Sequence, residues 1–292
     1  MKLAVTALVI ACWTTAALLY RLAARTGLPR GRVALGASGA WFVLTLVTSA
    51  VTGASPLSEP GVLFALGALG GVCIVLALPF FMAAVARGNL AVSWTILTLS
   101  FAASALVSII YPGSPVNGFG VAGLATAGAA IVLLGRDGAS RGAKAGFRRG
   151  WGLFMALAFM ANAATMYVYP LADAWADIKP LSAKMAMLLA QTAVFLAGSA
   201  LLCLRGRPKR GWAAIGVGAC LGAVFAVGNY ARMVALGDLD IPAYVFFPAA
   251  TGGSTLTVAF ISSAVFGERP GLLGWLGLAL GLGAMVLLAS AA

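Results

Sequence analysis

The stretch GNYARMVALGDLD places an amide, a phenol and a guanidinium within one helical turn of otherwise apolar sequence. These groups belong to Asn229, Tyr230 and Arg232. Because a charge inside a bilayer is costly and usually functional, Arg232 is a candidate contact for a substrate carboxylate or phosphate. The alternative interpretation is that Arg232 extends to the outer interface, or pairs with Asp238 or Asp240 about two turns along the helix.

Further polar and aromatic side chains lie inside apolar runs and are candidate substrate contacts. They are Trp13, Trp94, Thr95, Asn162, Tyr167, Gln191 and Tyr244. An amide in hydrocarbon needs a hydrogen-bond partner, which is either a substrate or another helix, and the sequence leaves both open. Aromatic residues at span ends are interpreted instead as interface anchors, and these are Trp41, Tyr111, Trp151 and Trp212.

The acids of the chain all lie in predicted loops or at the ends of apolar runs. They are Glu59, Asp137, Asp173, Asp177, Asp238, Asp240 and Glu268. Since an embedded carboxylate is a common site of proton or cation coupling, its absence disfavours a proton-coupled pump of organic cations. A neutral, zwitterionic or anionic substrate fits this pattern better, and permeation without ion coupling also remains open.

Groups for catalysis and for metal or cofactor binding are sparse in this sequence. There is no His, and the 4 Cys residues have no CxxC spacing. No HExxH or GxSxG motif is present, and GASRGAKAG lacks the GKS/T ending of a phosphate-binding loop. We therefore expect no metal, no cofactor and no enzymatic activity.

The composition indicates a chain whose solvent is lipid. Hydrophobic residues make up 62% and charged residues 9% of the 292 residues, and the mean hydropathy is +1.03. A soluble domain averages about a quarter charged residues. The net charge of +12 does not indicate a nucleic-acid partner, because the cations lie in short loops where they set topology and meet lipid headgroups.

Apolar runs long enough to cross about 30 Å of hydrocarbon recur between Gly- and Pro-containing breaks. They predict ten spans at 3–22, 33–53, 61–86, 90–111, 118–135, 151–171, 182–204, 212–234, 243–266 and 271–290. The loops are too short to hold a soluble domain. The predicted fold is therefore an all-α integral membrane bundle.

The cations are distributed unequally between the two sets of loops. The odd-numbered loops hold Arg21, Arg25, Arg30, Arg32, Arg87, Arg136, Arg141, Lys144, Arg148, Arg149, Arg205, Arg207, Lys209, Arg210 and Arg269, whereas the other side holds Lys2, Lys179 and Lys184. The positive-inside rule places the odd-numbered loops in the cytoplasm and both termini outside. The expected location is a cell membrane, the bacterial inner membrane.

The two halves of the chain resemble each other at an offset of about 150 residues. The prediction is a first five-helix repeat over 1–135, a basic cytoplasmic linker over 136–150 and a second repeat over 151–292. Because each unit has an odd number of spans, the second copy must be inverted. Inverted repeats are typical of secondary transporters, which bind their substrates near the bilayer midplane.

Glycine pairs at helical spacing occur in both halves, at Gly67 and Gly71, Gly218 and Gly222, and Gly277 and Gly281. Such pairs let two helix backbones approach closely. Packing within one subunit and packing between two subunits are both open, so the expected state is a monomer or a homodimer.

The closing segment VFGERPGLLGWLGLALGLGAMVLLAS resembles that of EamA-type members of the drug/metabolite transporter superfamily. ALGDLDIPAYVFFPAATGG resembles the same repeat, and the first copy departs from it with SPVN at the usual Gly-Glu-Arg turn. The resemblance implies a ten-span, two-repeat transporter that moves small metabolites by alternating access. Small multidrug-resistance relatives carry a carboxylate in their first span, where this chain has Trp13 and Thr14.

The expected function is secondary transport of small organic metabolites such as amino acids, with export the direction that the resemblance implies. The expected partners are a small-molecule substrate and the lipid bilayer. One alternative is efflux of drugs or other amphipathic compounds. An alternative of another class is a non-transporting membrane scaffold or lipid-handling protein.

Overall fold

The computed structural model of this chain describes residues 1–54, 57, 59–102, 117–145, 150–175, 181–204, 211–236, 239 and 243–290. This part of the chain is helical and contains no strand. Its helices are α1 (Lys2–Arg25), α2 (Arg30–Val51), α3 (Gly61–Val85), α4 (Leu90–Thr98), α5 (Gly118–Ala145), α6 (Trp151–Trp175), α7 (Leu181–Cys203), α8 (Gly211–Leu236), α9 (Ala243–Phe266) and α10 (Leu272–Ala289).

Eight of the described helices are long and apolar enough to cross a membrane. Two shorter apolar helices accompany them, at Leu90–Ala102 and Leu272–Leu288. Large apolar side chains also cover much of the outer surface, for example Leu201 and Phe260, which are about two-thirds exposed. These features are those of an all-helical, multi-pass membrane protein.

Most helix ends fall within about one turn of the predicted span ends, because Gly and Pro stop the helices there. The largest difference is at α5, which continues from the predicted end at residue 135 to Ala145. Residues 136–145 contain no Pro, and their Arg, Ala and Lys residues favour a helix although Gly138 and Gly142 do not. The later part of the fourth predicted span, 103–111, lies outside the described residues.

Three helix connections meet at one end of the bundle. Arg25 at the end of α1 contacts Phe266, the last residue of α9, and Glu268, which follows that helix. The backbone N–H of Leu90, at the start of α4, donates to the same Glu268 carboxylate. The α1–α2, α3–α4 and α9–α10 connections therefore lie together.

The other two odd-numbered connections lie at this same end. Asp137 in α5 accepts a hydrogen bond of 3.1 Å from the backbone N–H of Gly271, just before α10. Gly211 at the start of α8 lies against the guanidinium of Arg32 at the start of α2. A methyl group on Gly211 would overlap this guanidinium. We call this end the odd-loop end and the opposite one the even-loop end.

The helices of the first half pack on those of the second in the same way as the helices of the second half pack on those of the first. Helix α2 packs on α8 and α7 packs on α3, and likewise α3 packs on α6 and α8 packs on α1. The pairs α2–α7, α5–α10 and α4–α9 are in contact as well, and each joins helices of the same rank in the two halves.

Glycines bring α8 onto α2. A methyl group at Gly218 or Gly222 would lie less than 3.0 Å from the backbone carbonyl oxygens of Val33 or Ala37 in α2. Because no real Cβ atom is found so close to a backbone atom, these positions accept only glycine without a shift of the helices. The contact pairs rise together in residue number, so the two helices are parallel.

The contact between α3 and α7 repeats this arrangement. A methyl group at Gly67 or Gly71 would lie less than 3.0 Å from the carbonyl oxygens of Met187 or Gln191 in α7. The two glycines are four residues apart, as are the two carbonyls, which is also the spacing in the α2–α8 contact. The glycine pairs therefore serve packing within one chain.

Helices α5 and α10 contact each other reciprocally. A methyl group at Gly123 would lie 2.7 Å from Cγ of Leu288, and one at Gly277 would lie 2.7 Å from Cγ of Leu134. An early residue of each helix thus meets a late residue of the other. The two helices are therefore antiparallel.

Candidate functional site

A chain of aromatic rings crosses the middle of the bundle and begins near the odd-loop end. The Trp94 ring of α4 lies 5.9 Å from the Phe81 ring of α3, in an edge-to-face arrangement. Phe81 in turn lies 5.1 Å from Tyr20 of α1, also edge to face. The Tyr20 ring is 6.2 Å from Phe225 of α8, which links the first half of the chain to the second.

The chain of rings continues on the other side of Phe225. Its ring stacks on Trp41 of α2 with centroids 5.6 Å apart, and Trp41 lies 6.5 Å from Phe195 of α7. Aromatic pairs at these distances contribute about 0.5–1.5 kcal/mol each beyond area burial. The rings therefore bind both halves of the bundle together with apolar, planar surfaces.

Polar contacts join α4 to its neighbours at similar depth. The side-chain amide of Asn162 in α6 donates to Ser100 Oγ at 2.6 Å and to the Leu97 carbonyl at 3.4 Å. The hydroxyls of Thr98 and Thr255 lie 3.3 Å apart where α4 crosses α9. Of the two interpretations open for Asn162, helix–helix bonding is thus present in this structure.

Trp94 and Thr95 lie in the buried first turns of α4, with 6% and 1% of their surface exposed. The Thr95 hydroxyl donates to the carbonyl of Ala91 at 2.7 Å, within its own helix. The Trp94 indole N–H has no hydrogen-bond partner among the described residues. A buried donor without a partner costs about 1–3 kcal/mol of folding free energy. This indole N–H can therefore donate a hydrogen bond to an acceptor on a ligand.

Gln191 lies apart from this group, in the contact between α7 and α3. Its side chain is 3% exposed and packs against Gly70, and its Oε1 atom has no partner among the described residues. The close approach of the two backbones at Gly71 buries the amide between the helices. Gln191 is thus part of a packing contact in this structure.

Trp13 lies where α1 packs on α8, next to the residue that precedes Asn229. The Trp13 indole nitrogen lies beside Gly228, where a methyl group would be 3.6 Å away. The Asn229 side-chain amide donates to the Phe225 carbonyl at 2.9 Å, one turn earlier in its own helix. Phe225 belongs to the aromatic chain, so Asn229 stands one turn from those rings.

Tyr230 and Arg232 lie on different faces of α8. Tyr230 is 36% exposed, on the same face as Val227, which is 46% exposed. Arg232 is 8% exposed and therefore buried near the even-loop end. Its alternative partners by sequence, Asp238 and Asp240, lie outside the described residues.

The two remaining candidates give less information about the site. Tyr167 is half-buried in α6. The side chain of Tyr244 lies outside the described residues. The structure therefore groups Trp94, Thr95 and Asn162 around α4. Trp13 lies between α1 and α8, against Gly228.

Sequence reasoning missed several members of the aromatic chain. Tyr20 and Phe81 stand close to charged or Pro-containing span ends, which gave no sign of a central position. The sequence predicts Trp41 to be an interface anchor, and that prediction is wrong because the residue is 4% exposed and stacks on Phe225. Spacing alone does not show which face of a helix meets the core.

Of the other predicted interface anchors with described side chains, one is buried and one is exposed. Trp151 is buried, and its indole N–H donates to Ser93 Oγ at 3.1 Å, so its interpretation as an anchor is also wrong. Trp212 is 85% exposed, as an interface residue would be. Tyr111 lies outside the described residues.

The apolar core joins both halves of the chain at both ends of the bundle. One large cluster extends from Leu28, Val85 and Leu90 at the odd-loop end to Met185 and Met233 toward the even-loop end. Two separate clusters lie at the even-loop end of the described bundle. One joins α3, α6 and α7 through Leu63, Leu66, Val168, Ala172, Ala183 and Met187, and the other joins α1, α8 and α9 through Val9, Ala231, Ala235, Leu239, Phe246 and Ala250.

The described residues contain no group of three or more His, Cys, Asp or Glu side chains that could hold a metal ion. The thiols of Cys12, Cys73, Cys203 and Cys220 are not joined in disulfides.

Comparison with known proteins identifies a fold but no family. No protein-family model matches this chain, and no curated protein matches it. A solved structure, described as "Crystal structure of protein", is similar over 98% of this chain and 96% of its own. The TM-score is 0.59 and the sequence identity is 20%, so the two chains share a fold over nearly their whole lengths.

Proposed function

We propose that this protein is a secondary transporter of small organic metabolites, built from two inverted five-helix repeats with ten spans. The first repeat covers 1–135 and the second 151–292. The substrate binds near the bilayer midplane, and the two repeats rock against each other to expose it to either side.

The observation that carries this proposal is the packing of helices of equal rank. Helices α5 and α10 are antiparallel by the reciprocal contacts of Gly123 with Leu288 and Gly277 with Leu134. A duplicated unit whose copies lie antiparallel is inverted, and inversion is the design that lets one site open alternately to two sides.

Two other pairs of equal rank support the same conclusion. In α2 and α7, Gly31 lies against Leu202 and Gly39 against Leu196, so residue numbers run in opposite directions. In α4 and α9, Leu90 at the start of α4 bonds to Glu268, just after the end of α9. Thr98 at the end of α4 contacts Thr255, an earlier residue of α9. Residue numbers therefore run in opposite directions, and this pair is antiparallel as well.

The chemistry of the site supports a neutral, zwitterionic or anionic solute with an apolar, planar part. The rings of Trp94, Phe81 and Tyr20 supply flat surfaces, and the Trp94 indole supplies a free donor. Arg232 supplies a buried cation toward the even-loop end. Among the acids with described side chains, Glu59, Asp137 and Glu268, none lies between the two ends of the bundle.

The resemblance of the closing segment to EamA-type transporters supports membership of the drug/metabolite transporter superfamily and export as the direction. The excess of Lys and Arg in the odd-numbered loops supports an odd-loop end that faces the cytoplasm of a bacterial inner membrane. Efflux of amphipathic drugs is a second candidate, which the long aromatic chain favours. A scaffold or lipid-handling protein would need neither inversion nor a buried free donor.

The test is solute flux into proteoliposomes that contain the purified chain. The panel covers amino acids, nucleosides, sugars and amphipathic drugs, each against protein-free liposomes. We expect saturable flux for one class, and competition within that class. Absence of flux across the whole panel, with folded protein, would contradict transport and favour the scaffold.

Variants of the protein, assayed with the class of solute that is transported, then test the site itself. Trp94→Ala removes both ring and donor, and we expect it to reduce flux by about tenfold or more, since one lost binding contact of about 1.4 kcal/mol has this effect. Val227→Ala is the matched control, because Val227 lies on the exposed face of α8. Equal losses in both variants would count against a site at Trp94.

Topology is tested separately by cysteine labelling in sealed vesicles. Arg30→Cys, Arg87→Cys and Arg269→Cys each place one thiol in a different odd-numbered loop or next to it. We expect all three to react from the cytoplasmic side. Reaction from opposite sides would exclude the proposed arrangement.

A further inference from the structure

The carboxylate of Glu268 connects both halves of the chain at the odd-loop end. Glu268, in the α9–α10 connection, forms an ion pair with Arg21 of α1 through Oε1. Its other oxygen, Oε2, accepts a hydrogen bond of 2.8 Å from the backbone N–H of Leu90 in α4. Glu268 belongs to the second half, and both partners belong to the first.

The bond to Leu90 lies at the N-terminus of α4, where backbone donors lack partners within the helix. Asn89 accepts a second of these donors, the N–H of Val92, at 3.2 Å. A carboxylate at a helix N-terminus also interacts favourably with the helix dipole. Glu268 therefore binds the end of α4 by a hydrogen bond and by charge.

Arg21 extends the connection to a third helix of the first half. Its guanidinium donates to the carbonyl of Val85, the last residue of α3. The side chains of Arg21 and Glu268 are only 13% and 10% exposed. Water therefore screens this pair weakly, and charged hydrogen bonds of this kind are stronger than neutral ones.

Arg25 makes a more peripheral contact with the same segment. It is 44% exposed, and its guanidinium lies 3.4 Å from Glu268 Oε1. It also donates to the Phe266 carbonyl at 2.8 Å and covers the Phe266 ring at 4.7 Å. Exposed pairs of this type contribute little, with a median of about 0–1 kcal/mol.

The turn that carries Glu268 is itself fixed to α9. The Glu268 N–H donates to the Ser262 carbonyl at 3.2 Å, and the Ser263 hydroxyl donates to the Glu268 carbonyl at 3.1 Å. Gly267 has a φ of +67°, which glycine adopts without strain. The carboxylate is thus presented from a rigid position.

From these contacts we propose that Glu268, Arg21 and the N-terminus of α4 form a latch that holds the odd-loop end closed. This inference rests on the proposed alternating-access function and adds its conformational element. The structure is the state closed at the odd-loop end, where the Glu268 contacts join both halves. Opening that end requires the Glu268 carboxylate to leave Arg21 and Leu90 together.

The test measures the accessibility of a residue behind the latch in the purified full-length chain. Ala91, next to Leu90, is 1% exposed, so Ala91→Cys reports opening at this end. The background carries Cys12→Ala, Cys73→Ala, Cys203→Ala and Cys220→Ala. The readout is the rate of reaction of Cys at position 91 with a polar maleimide in detergent solution.

We expect Glu268→Gln to raise this rate by about tenfold or more, because it removes the charge while keeping the size and an acceptor for Leu90. Arg21→Gln removes the other partner and should have a similar effect. Arg25→Gln is the matched control and should change the rate by less than about twofold.

A second reporter distinguishes opening from general loosening. Ala183, at the start of α7, is fully buried at the even-loop end. With Ala183→Cys, the rate should stay constant or fall in Glu268→Gln. An unchanged rate at position 91, or a parallel rise at both positions, would overturn the latch.

Failure of the latch and failure of the transport proposal give different results. The labelling rates do not depend on any substrate, so the latch is tested even where every flux assay is negative. Conversely, substrate flux with labelling rates insensitive to Glu268 would support the transporter and reject the latch.

Discussion

Helices α3 and α8, which have the same rank in the two halves, are alike in some positions and different in others. Each carries a glycine pair that lies on two carbonyls of a neighbouring helix, at Gly67 and Gly71 in one and Gly218 and Gly222 in the other. The sequences differ beyond the glycines. Eight residues after Gly71, α3 continues as Pro79-Phe80-Phe81, whereas eight residues after Gly222, α8 continues as Tyr230-Ala231-Arg232.

The difference separates packing from chemistry. The glycines determine how closely two backbones approach, and a larger residue at any of them would force the helices apart. The divergent segments do not carry that constraint. In α3 the segment places Phe81 in the aromatic chain near the odd-loop end, and in α8 it places buried Arg232 near the even-loop end. The proposed substrate path is thus apolar at one end and cationic at the other.

The largest expected effect comes from the divergent end of α8. Arg232→Gln should abolish flux while leaving expression intact, because it removes the buried cation that is proposed to bind an anionic group of the substrate. Arg232→Lys keeps the charge and should retain measurable flux. Flux equal to that of the unmodified chain in Arg232→Gln would exclude Arg232 from the site.

The glycine contacts, which α3 and α8 have in common, are tested by adding one methyl group to each helix. Gly222→Ala and Gly71→Ala should each destabilise the chain by about 1–3 kcal/mol, because overpacking of a tight contact costs this much. Thermal unfolding in detergent measures the loss. Gly216→Ala in the same helix is the control, since nothing lies within 4 Å of its added methyl group. A loss in only one of the two glycine variants would break the equivalence of the contacts.

A polar group distinguishes the α3–α7 contact from the α2–α8 contact. Gln191 stands in the first, at the place that Ala37 occupies in the second. Gln191→Leu should raise stability by about 1 kcal/mol, because it removes a buried oxygen without a partner. Thr192→Val is the control and should not stabilise, since that hydroxyl already donates to the Leu188 carbonyl at 2.8 Å. A stabilised Gln191→Leu variant without flux would place Gln191 in the substrate path.

The smallest expected effect concerns the second carboxylate that crosses between the halves. The Asp137 carboxylate, in the first half, accepts a hydrogen bond from the N-terminus of α10. The Glu268 carboxylate, in the second half, does the same at the N-terminus of α4. Asp137→Asn should destabilise the chain by about 0.3–1 kcal/mol through the lost interaction with the helix dipole. Thermal unfolding measures this loss against Arg136→Gln, a change at the exposed neighbour. A stability unchanged by Asp137→Asn would show that its charge does not support α10.

The sequence by itself determined the positions of the helices and the sparing use of charge. Hydropathy and the Gly and Pro breaks depend on neighbouring residues only, so the ends of α9 and α10 could be predicted nearly to the residue. The glycine spacing at Gly67 and Gly71 likewise predicted a close helix contact. EamA-type transport remains a prediction that these patterns support.

Only the tertiary structure decided which helices meet and which side chains face one another. Glu268 was a loop acid in the sequence, and its bonds to Arg21 and Leu90 join segments far apart in the chain. Tyr230 and Arg232 are two residues apart, yet one is exposed and the other buried. In a chain that is apolar on nearly every face, hydrophobic periodicity is too weak to show which side of a helix faces the core.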